Sequence, residues 1–118
     1  MIEGKLKYKG KIGKELTVEQ GYDAARICAI NALAALKSEI DDLDQVERVV
    51  RTVGYVNCVE GFTKHPKIVN GASELLSEVF GNNGIGARLA IGISSLPEDS
   101  PVEIEIIFKL KKIQLGQV

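Results

Sequence analysis

Apolar residues recur along this chain with two different periods, and the switches between them mark the elements. Tyr22, Ala25, Ala29, Ala32, Leu33, Leu36 and Ile40 fall mostly three or four positions apart, the spacing of one helix face. Thr17-Val18-Glu19-Gln20 stands ahead of them as a capping box, in which hydroxyl and side-chain amide each satisfy an unpaired N–H of the first turn. The pattern predicts a helix from about Val18 to Ser38, whose many alanines suit close packing against a sheet. After the acidic turn Asp41-Asp42-Leu43-Asp44 the period drops to two. Val46, Arg48, Val50 and Thr52 alternate with Glu47, Val49, Arg51 and Val53, which predicts a valine-rich strand over 46–57, wetter at its start.

A loop from Cys58 to Pro66 leads to a second helix, from about Lys67 or Ile68 to Phe80. Its inner face is Ile68, Ala72, Leu75, Leu76, Val79 and Phe80, with Gly81 as the stop. The glycine-rich run Gly81 to Gly86 follows a helix and precedes a strand, whereas a phosphate cradle needs strand, loop, then helix. It reads as a turn. Two strands close the chain, Arg88 to Ser94 and Val102 to Leu110, joined as a hairpin through a Pro-containing loop. At the other end Lys5, Lys7, Lys9 and Lys11 alternate with Leu6, Tyr8 and Gly10, predicting a basic edge strand whose lysines block unwanted pairing.

Strand, helix, strand, helix, strand, strand makes one α+β sandwich domain over residues 1–118: one mixed sheet with both helices on one face. The opposite face, with Val50, Ile91, Ile93, Ile104 and Ile106 as candidates to line it, needs a cover, and an oligomer is the economical one.

Composition narrows the class without changing the architecture. The chain has 118 residues, 45% hydrophobic and 26% charged, with a net charge of -1, which is globular and gives no electrostatic reason to seek phosphate backbones. No apolar run reaches the roughly 18 residues of a spanning helix, and the lysine-interrupted start has no signal-peptide core. A cytoplasmic protein without membrane partners is expected. Cys28 and Cys58 carry no Cys-x-x-Cys pattern and read as reduced, buried thiols. His65, beside Pro66, has no metal-ligand partner at close spacing. The lysine run lacks the aromatic platform of a nucleic-acid binder.

Charge beside apolar strands leaves one candidate for chemistry. Arg88 opens a strand whose next residues are small or apolar, and Glu103 and Glu105 share one face of the next strand. Either an arginine and a carboxylate form a cross-strand ion pair, or the planar guanidinium grips a substrate carboxylate while a glutamate positions water.

These segments together, "LTVEQGY", "AARICAINALAALKSEI" with "DDLDQVERVV", "NGASELLSEVFG", "ARLAIGISSLP" and "VEIEIIF", resemble the RidA/YjgF family of reactive-intermediate imine and enamine deaminases. The likeness is colinear from about Gly4 to Phe108. It implies a chorismate-mutase-like (ferredoxin-like) fold, a homotrimer with sites in the clefts between subunits, and no cofactor or metal. The implied activity is hydrolysis of 2-imino acids and their enamines to 2-oxo acids and ammonia, as in a 2-iminobutanoate/2-iminopropanoate deaminase. By the same resemblance Arg88 binds the substrate carboxylate, Glu103 holds the attacking water and Asn70 stands at the site wall. The alternatives are a non-catalytic module that binds small carboxylates and an RNA-binding or ribonuclease protein.

Three departures accompany the resemblance. Ala90 stands where members often carry cysteine, and Gly86-Ala87 where proline precedes the arginine. The tyrosine-bearing and Ser-Gly-Gln strands with which members usually begin have no counterpart after Met1, so on this reading either the start is truncated or the pocket is incomplete.

Overall fold

The computed structural model describes residues 7–112. Helix α1 spans Val18–Ile40, strand β1 Val46–Asn57, helix α2 His65–Phe80, strand β2 Ala87–Ile93 and strand β3 Val102–Leu110, with short 3-10 turns at Leu43–Gln45, Gly81–Gly84 and Pro97–Asp99. The capping box forms as its residues require. Gln20 N donates to Thr17 Oγ1 at 3.1 Å, and Thr17 N to Gln20 Oε1 at 2.9 Å. At the far end of α2, Gly81 takes φ +62° and its N–H closes on the Ser77 carbonyl, a backbone conformation that a Cβ would oppose.

Both helices cover one face of a three-stranded mixed sheet in the order β2-β1-β3. The core lies between them, built from Ala25, Ala29 and Leu33 of α1, Ile68, Ala72 and Leu76 of α2, and Val49, Val56 and Val102 of the sheet. The helices approach closely at Gly71, where a Cβ would stand 2.1 Å from the Tyr22 carbonyl oxygen. Helix α2 is tied to α1 again at its rim, where Arg26 donates to both Glu78 carboxylate oxygens at 3.3 and 2.9 Å and the Tyr22 hydroxyl to Glu74.

Three expectations are corrected. First, the last two strands are not a hairpin: β1 lies between them, parallel to β2 and antiparallel to β3. The connection crosses the end of β1 and is held there by Asn57, whose side chain is fully buried. Asn57 Nδ2 donates to the Ser100 carbonyl at 3.1 Å and Asp99 Oδ1 at 3.3 Å, its Oδ1 accepts from Lys11 Nζ at 2.9 Å, and its backbone N–H reaches Pro101 O at 2.8 Å. A buried amide must satisfy its hydrogen-bonding groups, and doing so fixes the crossing.

Second, residues 7–11 form no strand, and Lys5 and Leu6 lie outside the described residues. Gly10 and Gly13 take φ of +117° and +92°, so the backbone turns instead of extending. Only Ile12, fully buried, joins the sheet region, through single bridges to Leu16 and Cys58. Third, Ile104 and Ile106 pack under the helices, and half-buried Val50 sits within the β-bulge that shifts register between Val49 and Arg51. By the pairing register Ile91 and Ile93 do lie on the open face as expected, joined there by Val53, Tyr55, Leu89 and Ile107. Leu89 and Ile107 there are 43% and 45% exposed.

Candidate functional site

Arg88 is the second residue of β2, an edge strand of alternating small and apolar residues that presents one side to α2. In register it pairs with Thr52, so both side chains stand on the helix-covered face. Helix α2 meets the guanidinium with Asn70 and Ser73, three residues apart and therefore on one helix face. Nη1 of Arg88 donates to Asn70 Oδ1 and, at 3.4 Å, to Ser73 Oγ. Neither acceptor carries charge, so the guanidinium is oriented without being neutralised. Around it opens a cleft of about 230 Å³ lined by Thr52, Ser73, Gly84, Ile85, Gly86 and Arg88. Arg88 itself is exposed to solvent there.

The cross-strand ion pair considered for Arg88 does not form, because β1 separates β2 from β3. Glu103 pairs with Tyr55, and Glu105 with Val53. Positions 52 and 55 differ by an odd number along a regular stretch of β1, so Glu103 points to the opposite face from Arg88. Two strand spacings, roughly 10 Å, separate them across the sheet, with roughly 10 Å more along it. Glu103 instead borders a second cleft of about 410 Å³ at the outer edge of β3, together with Cys28, Asn31, Leu96 and Pro97. Within one chain the structure joins Arg88 to Asn70 and leaves Glu103 apart.

From sequence Ser73 offers itself only as a nucleophile with no histidine to serve as its base, and its three-residue spacing from Asn70 is the signal for the role it takes beside Arg88. Cys58 and His65 were also missed as a pair: Cys58 Sγ lies 3.5 Å from His65 Nε2. Cys28 and Cys58 are both free thiols, and burial pushes each of them up. Among the described residues no group of three or more His, Cys, Asp or Glu is placed to hold a metal ion, and no helix is long and apolar enough to cross a membrane.

Two of the N-terminal lysines, Lys7 and Lys11, have separate partners. Lys7 Nζ and the Tyr8 hydroxyl both reach Asp23 Oδ2, at 3.0 and 2.6 Å. The Tyr8 hydrogen bond, then that from Lys7, holds the Asp23 carboxyl below its ordinary range. Lys11 binds Asn57 and the Ser94 carbonyl.

Residues 1–110 match the family model described as "YjgF/chorismate mutase-like, putative endoribonuclease". Protein TCP17 of Trypanosoma cruzi is 39% identical over 102 residues, 86% of this chain and 64% of that protein. The chain thus spans less than two thirds of this curated relative. The crystal structure of Atu1372 from Agrobacterium tumefaciens, described as of unknown function, superposes with a TM-score of 0.92 at 37% identity, covering 94% of this chain and 70% of that one. A structure described as a "putative endoribonuclease" from Shewanella oneidensis MR-1 gives 0.89 at 34%, covering 93% and 73%.

Proposed function

This chain belongs to the YjgF/chorismate-mutase-like family, and on that premise we propose that it hydrolyses 2-imino acids and their enamine tautomers to 2-oxo acids and ammonia. The observation that carries the reading is the guanidinium of Arg88, exposed in a cleft and oriented by Asn70 and Ser73, two neutral acceptors. Both contacts engage Nη1, so a substrate carboxylate takes the Nε and Nη2 donors in the bidentate geometry that arginine favours.

With the carboxylate held, the imine carbon is fixed beside the cleft. Water adds to that carbon, giving a tetrahedral carbinolamine, and the C–N bond then breaks to release ammonia as the oxygen becomes the 2-oxo group. Fixing the substrate supplies orientation, and a carboxylate within hydrogen-bond reach of the water supplies the base. Glu103 of the same chain is on the wrong face for this step. Glu103 from a second copy in a homotrimer is the base in this proposal.

The ribonuclease reading rests on the descriptions of the family and of the Shewanella protein. Its local support weakens here, because Lys7 and Lys11 are bound to Asp23, Asn57 and Ser94. The deciding experiment generates a 2-imino acid with an amino-acid oxidase and follows ammonia release. The protein accelerates release, and Arg88→Ala, with an unchanged circular dichroism spectrum, abolishes the acceleration. Equal rates in the folded variant sink the proposal. A thermal shift with 2-oxo acids but no accelerated release selects the non-catalytic binding module.

A further inference from the structure

Cys58 and His65 belong to no part of the Arg88 cleft, yet they are brought together at the end of β1. The sulfur lies 3.5 Å from Nε2 of the imidazole, and Phe62 meets the same ring edge-on with centroids 5.2 Å apart. The pair opens on a cleft of about 400 Å³ that Val59, Phe62, Gly92, Ile93 and Ser94 help to line, a size suited to a small organic molecule. Gly92 leaves the room for it. A Cβ at that position would stand 2.4 Å from His65 Nε2 and 3.0 Å from Cys58 Sγ. Two reactive atoms therefore converge where any residue but glycine would crowd them. By contrast, the Cys28 sulfur faces the Val102 carbonyl at 3.7 Å.

We propose that Cys58 is a nucleophilic thiol, with His65 as its base, that captures small α,β-unsaturated carbonyl compounds in this cleft. Burial pushes the Cys58 thiol up, against a smaller opposing pull from Lys11. The sulfur rests protonated and needs an adjacent base, which His65 Nε2 supplies. His65 is also the first residue of α2, and the partial positive charge at a helix N-terminus favours sulfur as it becomes anionic. Charged groups about the pair include Lys11, Lys64 beside His65 in the chain and, at the cleft wall, Glu60; β2 presents Gly92 and Ile93, which carry no charge.

The step balances without an oxidant or a leaving group. The thiol proton passes to Nε2 of His65 as Sγ attacks the β-carbon, and an S–C bond forms. The C=C π pair moves to the α-carbon as an enolate, which then takes the proton back from His65. The product is a thioether adduct of Cys58, and the apolar walls contributed by Val59, Phe62 and Ile93 suit the alkene.

Acrylamide is the probe. The folded protein is exposed to it across about pH 5.5 to 9, and alkylation of Cys58 and Cys28 is followed by peptide mass spectrometry. Cys58 is expected to react on the order of tenfold faster than Cys28, whose sulfur faces a carbonyl and not an imidazole. His65→Gln, which keeps a polar side chain but removes the base, lowers the Cys58 rate on the order of tenfold. Should H65Q fail to fold, the ratio of Cys58 to Cys28 alkylation in the native protein decides alone. Cys58 reacting no faster than Cys28, or a folded H65Q matching the parent in rate, overturns the proposal.

Discussion

Separation of Arg88 and Glu103 onto opposite faces gives the proposed deaminase a quantitative test. If each site takes Arg88 from one copy and Glu103 from another, Arg88→Ala and Glu103→Gln inactivate different halves of every site. Unfolded together in urea at equal amounts and refolded, the two variants assort at random. A site is restored when its arginine comes from an E103Q chain and its glutamate from an R88A chain, each with a chance of about one half. About one quarter of the sites recover, and this fraction does not depend on the number of copies in a closed ring. The opposite faces, the two strand spacings and the three-residue offset make a same-chain site unreachable for a small 2-imino acid. Ammonia release from an oxidase-generated imino acid is the assay. The expected rate is about 25% of the unmutated protein refolded in the same way, against separately refolded variants that each lose the activity. No recovery above the separate variants, with mixed assemblies demonstrated by mass, refutes the shared site. Full activity in E103Q alone removes Glu103 from the mechanism.

Other consequences follow from particular contacts. Asn70→Asp, which turns the neutral acceptor on Arg88 into a counter-ion, should raise KM more than Asn70→Ala does, because it competes with the substrate carboxylate for the guanidinium; equal KM values in the two variants refute the carboxylate grip. Gly71→Ala sets two effects against each other. Helix propensity favours alanine by about 1 kcal/mol, but a Cβ 2.1 Å from the Tyr22 carbonyl oxygen forces the helices apart, and overpacking costs about 1–3 kcal/mol or more. Net loss of stability in urea unfolding is expected, and a gain would show that the helices separate freely. Asp23 has a folded pKa depressed below its ordinary 3.8 by Tyr8 and Lys7, so its stabilising contribution is fully present above that value and fades as pH falls through the folded one. The melting-temperature advantage of the parent over Asp23→Asn should therefore be constant near neutrality and shrink below about pH 4; an advantage that grows on acidification contradicts this.

What the chain settled for itself is local. The strand bounds at 46–57 and 102–110 agree with the structure, and the capping box at Thr17 and Gln20 starts α1 where it is expected, because periodicity and end-capping act over a few residues. The family resemblance belongs here too, since it is a property of residue order. The period of two also states that Glu103 and Glu105 share a face and that Ile104 and Ile106 share the other. It does not say which face meets the helices, or which strand lies alongside.

Those choices were made by distant contacts. Strand β1 inserts between β2 and β3 because the loop after β2 is anchored across its end by Asn57, Asp99 and Ser100, and that insertion converts an expected Arg88–Glu103 neighbourhood into opposite faces. The basic strand was lost to turns at Gly10 and Gly13, with Lys7 and Lys11 drawn to Asp23 and Asn57. Asn70 and Ser73 reach Arg88, and Cys58 reaches His65, only once α2 is laid against the sheet. Side-chain period is set by backbone geometry within one element, whereas strand order and site assembly depend on burying apolar surface and satisfying buried polar groups between elements distant in sequence.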